Sequence, residues 1–466
     1  MSNNTLPETI ADAAQQLRDG SLTSDALTRA CLARIEALQP RLNAFITITA
    51  EPALRAAAER DDELKRGRQR GPLHGIPVVF KDCFDTAGVR TTVGSGFMRE
   101  RIPTSDAAVV RRLHDAGVVA LGKTNMNEFA AGTSGVNAFF GDTHNPWDIA
   151  RSPGGSSSGT AVAIASGMCL GGVGSDGGGS IRIPAAWCGL VGIRPTIGRV
   201  STAGGHPRTY SFDCVGPLAR TVRDCALLLQ AMAGHDAADP RSLADSVPDY
   251  ARDLTASVAG LRIGVIDDFS RRGLDAETAT AFDAAIQTLT RRGAQIKTIQ
   301  IPPLTAGFEY AALFDIMLYE FNQILGEQYR ACADRATLFG PMVQSNLARG
   351  VQIDGKYYQR ALAERPARVA QIRQAFAEVD ALITPVTPML PPLLSAAPAM
   401  FDQGRQFMLP FSFAGLPAIS LPCGASAAGL PIGIQLVADR QQEGLLFRIA
   451  AAFEAETPFH RRRPPG

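Results

Sequence analysis

A serine at the end of a glycine run is the residue of this sequence best placed to act as a nucleophile. The run Gly177-Gly178-Gly179-Ser180 comes directly before Ile-Arg-Ile-Pro-Ala, which is typical of a helix start. Backbone N–H groups in such a turn can stabilise an oxyanion, so the serine beside them could attack a carbonyl carbon. A second cluster, Gly-Gly-Ser-Ser-Ser-Gly at 154–159, adjoins apolar residues in the same way. Glycines embedded in apolar segments favour a rigid ligand-binding turn over a flexible linker.

A serine hydroxyl needs a base, and the sequence offers a lysine and two histidines for this role. Lys81 ends the apolar segment Ile-Pro-Val-Val-Phe, so its amine would emerge from a buried strand, where desolvation lowers the pKa. The alternative is a structural lysine paired with Asp82 or Asp85. His144 and His206 also stay open as bases, because their positions in the sequence exclude neither.

The same segment also matches the dinucleotide fingerprint GxGxxG, at Gly172, Gly174 and Gly177. That fingerprint needs an acidic residue about 20 positions later, and this chain has no Asp or Glu between Asp176 and Asp213. The eight cysteines form no CxxC pair, which is typical of buried free thiols rather than of zinc ligands. We therefore expect no nucleotide, metal or other cofactor.

The composition argues against several classes of partner. The chain of 466 residues has 46 Lys and Arg against 45 Asp and Glu, and its net charge of +1 favours neither nucleic acid nor an anionic membrane. The first residues lack a signal-peptide pattern, and no apolar run reaches the ~18 residues of a membrane span. We expect a cytoplasmic protein that acts on a small molecule and has no nucleic-acid or membrane partner.

Short apolar runs bounded by glycine and proline predict the strands that would position these residues, and helical patterns alternate with them. The alternation predicts an α/β fold with a buried sheet covered by helices on both faces. We expect one domain that spans all 466 residues. Its parts would be a helical N-terminal region at about 1–66, a core at about 71–235, and a helical insertion or lid at about 305–376.

Two boundaries in the N-terminal region can be predicted from single residues. Thr5, followed by Pro7 and Glu8, predicts a capped helix start. Pro40 predicts the end of the next helix, which begins at about Ser24.

Taken together, these motifs resemble the amidase signature family over essentially the whole chain. The family's core motif is matched at 155–159 and 174–185, and its other motifs are matched at 73–82, 122–129, 145–147, 212–220 and 413–424. The resemblance implies a single large domain with a mixed, twisted sheet. It also implies hydrolysis of amide bonds by a Ser–cis-Ser–Lys triad without a cofactor.

The resemblance assigns the triad to three residues. Ser156 precedes Ser180 by 24 residues, which is the family's spacing, and this selects Ser156 over Ser157 and Ser158. The peptide bond before Ser156 is expected to be cis. Neutral Lys81 would accept a proton from Ser180 through Ser156, and water would resolve the acyl-enzyme.

Further residues take supporting roles by the same resemblance. The N–H groups that would form the oxyanion hole belong to Gly177, Gly178, Gly179 and Ser180. Ser157 and an ion pair of Asp176 with Arg182 would support the site. The family usually has a threonine or a branched residue where this chain has Gly177, so we expect a wider pocket floor here.

The substrate is less closely defined by the sequence. We expect a C–N amide with an aryl or apolar acyl group, bound on one side by Gly132 and Thr133, which leave room there. A helical region that often shapes the acyl pocket in this family carries several large side chains, although these could equally be core residues. They are Phe308, Tyr310, Phe314, Met317, Tyr319 and Phe321. A carbamate (urethane) or a ureide of the carboxybiuret type is the alternative, because either needs the same triad.

The glutamine-hydrolysing component of a tRNA-dependent amidotransferase is a less favoured alternative. In that branch of the family an Asp helps to hold the substrate's amino group. The corresponding stretch here, 401–413, places Arg405 at that position, with Asp402 close by. An arginine suits a carboxylate or a carbonyl-rich substrate better than an ammonium group. We therefore expect a stand-alone amidase, and a homodimer by analogy with the family.

Overall fold

Short segments rich in valine, isoleucine and glycine form the sheet around which the molecule is built. The computed structural model describes residues 7–266, 268–305, 310–400 and 402–465, with backbone only at 305, 310 and 311. Within these residues eleven strands form one sheet, in the order β1-β3-β2-β4-β6-β5-β10-β11-β9-β7-β8. The strands are β1 (Phe45–Ile48), β2 (Pro77–Lys81), β3 (Val119–Thr124), β4 (Gly171–Asp176), β5 (Val191–Arg194), β6 (Cys214–Ala219), β7 (Arg262–Ile266), β8 (Gln295–Ile299), β9 (Ala381–Pro385), β10 (Ala418–Ala425) and β11 (Pro431–Val437).

Helices connect the strands along the chain. They are α1 (Ile10–Asp19), α2 (Ser24–Leu42), α3 (Ala50–Lys65), α4 (Ala108–Asp115), α5 (Ser158–Ala165), α6 (Arg182–Cys188), α7 (Val222–Met232), α8 (Ala276–Arg291), α9 (Pro302–Thr305), α10 (Tyr310–Ala331), α11 (Arg335–Leu338), α12 (Pro341–Gly350), α13 (Gly355–Arg373), α14 (Ala375–Glu378), α15 (Leu409–Phe413) and α16 (Glu443–Ala455). Short 3₁₀ turns lie at Glu128–Ala130, Gln403–Arg405 and Phe459–Arg461.

The sheet is mixed, as expected. β2 pairs in parallel with β3 and β4, and β9, β7 and β8 are also parallel to one another. Between these groups the strands from β4 to β9 pair antiparallel. The direction therefore changes at β4, the strand that leads to the glycine run at 177–179.

Helices cover both faces of the sheet, and the glycines of β4 make room for them. A Cβ on Gly171 would lie 2.7 Å from Leu228 of α7, and a Cβ on Gly172 would lie 2.8 Å from Thr160 of α5. Successive side-chain positions of a strand point to opposite faces, so α7 and α5 lie on opposite sides of β4. The expected α/β fold of one domain is confirmed.

Two predicted boundaries are wrong. The first helix begins at Ile10 because the Thr9 hydroxyl accepts the Asp12 N–H at 3.0 Å, and Pro7 and Glu8 precede the helix. Thr5 itself lies outside the described residues. The second helix continues through Pro40 to Leu42. Proline removes only one hydrogen bond there, in the last turn of the helix, where Pro40 and Arg41 are exposed.

The region predicted as a helical insertion lies between β8 and β9. It contains α9 to α14 and no strand in the part that the structure describes. No described helix combines the length and apolar character that crossing a bilayer requires. The eight cysteines are free thiols; seven are buried, and Cys332, directly after α10, is partly exposed.

Candidate active site

Lys81 is fully buried at the end of β2 and contacts two serines. Its Nζ donates to Ser156 Oγ at 2.6 Å and to Ser175 Oγ at 2.8 Å. Burial lowers the pKa of Lys81, although the negative groups around it, Asp213 and Asp176 among them, act in the opposite direction. The surroundings therefore favour an uncharged amine more than water does.

The alternative partners of Lys81 are occupied elsewhere. Asp82 Oδ2 accepts the N–H and the hydroxyl of Thr92, at 2.9 and 2.5 Å. Asp85 forms a two-pronged ion pair with Arg101, at 2.7 and 2.6 Å. Lys81 is therefore not the structural lysine of an ion pair with either aspartate.

The two histidines left open by the sequence make other contacts. His144 Nδ1 lies 2.8 Å from the Ile149 carbonyl oxygen. His206 packs on the Phe129 ring, and burial lowers its pKa to about 4. Neither ring hydrogen-bonds to Ser156 or Ser180 among the described atoms, so the structure places the lysine, and no histidine, beside the serines.

The two glycine–serine segments meet directly. The peptide bond between Gly155 and Ser156 is cis, as the resemblance implied. The N–H of Ser157 donates to the carbonyl oxygen of Ser180 at 3.3 Å, and the Ser157 hydroxyl donates to the carbonyl oxygen of Ser175 at 3.3 Å. Ser157 thus links the segment before α5 to both ends of the turn that follows β4.

The turn after β4 presents backbone N–H groups beside Ser180, which is 8% exposed. The N–H groups of Gly177, Gly178 and Ser180 donate to no described residue. The N–H of Gly179, which the sequence also assigns to the oxyanion hole, instead donates to Asp176 Oδ1 at 2.7 Å. Gly179 therefore helps to fix the turn, and its N–H is not available to a substrate in this structure.

The Asp176 carboxylate fixes the turn after β4 through its hydrogen bonds. Its carboxylate accepts Arg182 Nε and Nη at 3.0 Å each, so the predicted ion pair is present, and Arg194, which sequence reasoning missed, lies 3.5 Å away. Burial alone would raise the pKa of Asp176, but the charges of Arg182 and Arg194 and the bonds from Arg182 and Gly179 hold it well below its usual range. The fully buried carboxylate is therefore ionised, and it fixes the geometry of the turn.

A narrow cleft of about 20 Å³ lies in front of Ser180, with little more room than one water molecule needs. The predicted binding residues Gly132, Thr133 and Arg405 all line it. Ala130 and Met317 line it too, and Met317 belongs to the helical region that was expected to shape the acyl pocket. Sequence reasoning missed three further lining residues: Ser175, Arg208 and Asp213. A signal was present for Ser175 and Asp213, which lie within the matched motifs at 174–185 and 212–220, whereas Arg208 lies in no matched motif.

Gly177 does not widen the pocket floor in the described residues. A Cβ at this position would lie 2.8 Å from Asp213 Oδ1 and 3.7 Å from Met317 Cε. The space that a larger residue would fill is thus already occupied by these two side chains. The expectation of a wider floor is wrong for this reason.

The large side chains of α10 divide between the cleft and the core. Met317 lines the cleft, and the Arg405 guanidinium lies 4.6 Å from the centre of the Phe314 ring. Phe321 is buried against Phe129, and Tyr319 stacks on Tyr358 at 4.1 Å. Phe308 and the side chain of Tyr310 lie outside the described residues.

A second cavity, of about 260 Å³, adjoins the cleft across Gly132 and Thr133. Its lining is mostly apolar and includes Ala131, Val136, Ala138, Pro341, Met342 and Pro398. Among the described residues no group of histidine, cysteine and acidic side chains is arranged to hold a metal ion.

The fold and the site together define a hydrolase that acts on amide C–N bonds. The chain belongs to the amidase family, which it matches over residues 26–447. A curated relative from Synechococcus sp. (strain JA-3-3Ab), the A-type subunit of a glutamyl-tRNA(Gln) amidotransferase, is 41% identical over 97% of this chain and 92% of its own.

Solved structures share the fold over nearly the whole chain. One belongs to a vestigial protein complex that reveals the evolutionary origins of an s-triazine catabolic enzyme; its TM-score is 0.91 at 33% identity, over 98% of this chain and 100% of that one. Another is the peptide amidase of Stenotrophomonas maltophilia, with a TM-score of 0.87 at 34% identity over 98% of each chain.

Proposed function

We propose that the protein hydrolyses the C–N amide bond of a small molecule through an acyl-enzyme on Ser180. The observation that carries the proposal is the 2.6 Å hydrogen bond between the buried Lys81 amine and Ser156, beside the segment that contains Ser180. A lysine whose pKa is lowered by burial is more readily uncharged and can then accept a proton, and a serine between it and the nucleophile can relay that proton.

Formation of the acyl-enzyme needs two proton transfers, one from Ser180 to Lys81 and one back from Lys81 to the substrate nitrogen. Ser180 Oγ attacks the carbonyl carbon while its proton passes to Ser156 and the Ser156 proton passes to Lys81 Nζ. The relay then returns a proton to the substrate nitrogen, so that the C–N bond breaks and a neutral amine leaves. Water attacks the resulting ester by the same relay, which releases the acid and restores Ser180.

The negative oxygen that forms on the carbonyl needs hydrogen-bond donors. We assign this role to the N–H groups of Gly177, Gly178 and Ser180, which donate to no described residue. Gly179 supports them through its bond to Asp176. Losing one such donor typically costs ~10²–10³ in rate.

The cavity behind Gly132 and Thr133 supports an aryl or apolar acyl group on the substrate. Its volume of about 260 Å³ exceeds the ~150 Å³ of an apolar cavity that holds benzene. A carbamate or a ureide of the carboxybiuret type is the alternative substrate, since the same relay and oxyanion donors would serve its carbonyl group.

A role within an amidotransferase is less well supported, although relatives with that name align over nearly the whole chain. The cleft is lined by the guanidinium groups of Arg208 and Arg405, which would repel the amino group of glutamine. Asp213 is the acidic residue that lines the cleft, and its Oδ2 accepts the backbone N–H groups of Arg208 and Thr209. We therefore propose a hydrolase that acts alone.

The test is hydrolysis of a substrate panel by the wild type, Ser180→Ala and Lys81→Met. The panel contains aryl and alkyl amides, anilides, a carbamate, a biuret-type ureide and glutamine. We expect the wild type to turn over an aryl or apolar amide, and both variants to lose at least ~10³ in kcat/KM.

Ser420→Ala is the matched control, because Ser420 is buried in β10 and its hydroxyl has no partner in the described residues. It should keep full activity. Activity retained by Ser180→Ala would show that the nucleophile is wrong, and turnover of glutamine alone would favour the amidotransferase role.

A further inference from the structure

A cavity of about 420 Å³ lies at the carboxyl end of α5, where Ser166 and Gly167 line it. The amino end of α5 follows Ser157, and the eight residues of this helix span about 12 Å. The cavity shares no described lining residue with the cleft in front of Ser180. It is therefore separate from the site proposed to cleave amides.

Basic side chains outnumber acidic ones around this cavity. Among the described residues that line it, the basic ones are Arg34, Arg41, Arg220 and Arg463, and the acidic one is Glu8. Glu8 is already paired, since the Nε of Arg463 donates to its carboxylate at 2.8 Å. The other three arginines give the cavity a positive charge that no described lining acid balances.

Arg220 is the buried member of this group, with 4% of its surface exposed. One Nη donates to the carbonyl oxygens of Ile164 and Ala165, at 3.0 and 3.1 Å, and its other nitrogens donate to no described residue. Burial lowers the pKa of Arg220 to about 10, while the charge of Asp224 acts in the opposite direction, so the group is charged at neutral pH. A buried cation with unused donors at the wall of a cavity favours an anion there.

Ser166 adds a hydroxyl group to the same wall. Its side chain is buried, and its Oγ has no hydrogen-bond partner among the described atoms. The Nε of Arg34 donates to the carbonyl oxygen of Ser166 at 2.7 Å, so this guanidinium lies beside the serine. Because a serine hydroxyl turns about a single bond, it can donate to a ligand oxygen without giving up an existing hydrogen bond.

We propose that this cavity binds the phosphate group of a small organic phosphate. Arg34, Arg220 and the Ser166 hydroxyl would each donate to a phosphate oxygen, and a phosphate monoester offers three such oxygens. Apolar side chains, Leu38 and Leu42 among them, also line the cavity and would contact the organic part of the ligand. The volume exceeds the ~150 Å³ of an apolar cavity that holds benzene, so an organic group has room.

The test is calorimetric titration of the whole protein with phenyl phosphate, inorganic phosphate, benzoate and phenol. We expect phenyl phosphate to bind at least about 10-fold more tightly than benzoate, which has one oxygen fewer, and than phenol, which is uncharged at neutral pH. Inorganic phosphate should bind more weakly than phenyl phosphate, because it cannot contact the apolar wall. Arg220→Met should weaken phenyl phosphate by about 10-fold or more and leave phenol unchanged.

Ser166→Ala separates binding from folding. The hydroxyl has no partner in the described residues, so its removal should leave the thermal unfolding midpoint of the free protein unchanged. The same variant should weaken phenyl phosphate by about 3- to 10-fold. Arg220→Lys keeps a positive charge and should retain part of the affinity if Arg220→Met folds poorly.

Arg208→Met is the matched control, because Arg208 is also a buried arginine but lines the cleft in front of Ser180. It should not change the affinity for phenyl phosphate. Binding that is lost in Arg208→Met and kept in Arg220→Met would assign the phosphate to the cleft and overturn the proposal. The proposal would also fail if phenyl phosphate does not bind, or if benzoate, phenol or inorganic phosphate binds as tightly.

Discussion

At the scale of single residues, the molecule combines a buried lysine with a buried, ionised aspartate a short distance away. Burial lowers the pKa of Lys81, whereas Arg182 and Arg194 keep the pKa of Asp176 low despite its burial. The two environments thus favour an uncharged amine beside the serines and a charged carboxylate behind the turn. Such a separation of pKa values is typical of groups with different roles in one site.

The state of Lys81 predicts how activity depends on pH. Below the pKa of Lys81 the amine carries an extra proton and cannot accept another, so kcat/KM should fall by about tenfold per pH unit on the acid side. A pH profile of kcat/KM measures this fall, called the acid limb below. The midpoint of the acid limb should lie below the ordinary lysine pKa of 10.5.

His206→Gln is the control for this profile, because His206 is one of the two histidines that the sequence left open as a base. The acid limb should stay where it is in that variant. A limb that disappears with His206, or a flat profile in the wild type, would contradict the role of Lys81.

The motifs could identify some of these residues and not others. Lys81, Ser156 and Ser180 each stand in a recognisable local pattern, so their roles could be predicted before any contact between them was known. Arg208 lies in no matched motif and reaches the cleft only because its loop folds against Ala130. Residues placed by long-range packing leave little trace in the sequence.

At the scale of elements, a buried carboxylate joins the helical region to the loop that carries Arg208. Glu320 of α10 accepts the N–H of Ser211 and the hydroxyl of Tyr358 from α13, at 3.0 Å each. The Arg365 guanidinium of α13 donates to the carbonyl oxygen of Ser211 at 3.2 Å. The position of the loop therefore depends on helices more than 100 residues later.

Glu320→Ala should loosen this connection. Removing the carboxylate leaves the partly buried N–H of Ser211 and the hydroxyls of Ser211 and Tyr358 without this acceptor, which typically costs ~1–3 kcal/mol. We expect faster hydrogen–deuterium exchange at 208–213 and unchanged exchange in α5. Glu327→Ala, an exposed position of the same helix, is the control. Equal exchange in both variants would show that Glu320 does not hold the loop.

Some helices and strands can be predicted from the local sequence, and others cannot. The sequence predicts a helix over Ala276–Arg291, because Asp275 can cap it and its apolar residues recur regularly, and α8 has these bounds. β6 was not predicted, since Gly216 and Pro217 count against a strand. It forms because it lies between β4 and β5, where burial on both faces outweighs local preference.

At the scale of the whole molecule, Glu128 links the cleft wall to the helical region. Its carboxylate accepts the Ser95 hydroxyl at 2.6 Å and the N–H of Gly340, just before α12, at 2.8 Å. Burial raises its pKa to about 7, although the two hydrogen bonds act in the opposite direction. The charge of the Glu128 carboxylate, which accepts these two hydrogen bonds, therefore changes with pH near neutrality.

Glu128→Gln should change how stability depends on pH. The folded pKa of about 7 exceeds the ordinary value of 4.5, so the folded state binds the proton more tightly. The contribution of Glu128 is present below pH ~4.5 and is lost as the pH rises to ~7, by about 3 kcal/mol at most. Denaturant unfolding at several pH values should show the wild type losing stability relative to Glu128→Gln across this window. Parallel curves for the two proteins would contradict the prediction.

The distribution of the thiols has a practical consequence. Seven cysteines are sealed inside the molecule, where burial keeps thiols protonated and unreactive, whereas Cys332 is partly exposed directly after α10. A maleimide dye should therefore attach at one place without any engineering of the chain. A fluorophore there would sit on the helical region, so its signal could follow that region in real time while substrate enters and product leaves.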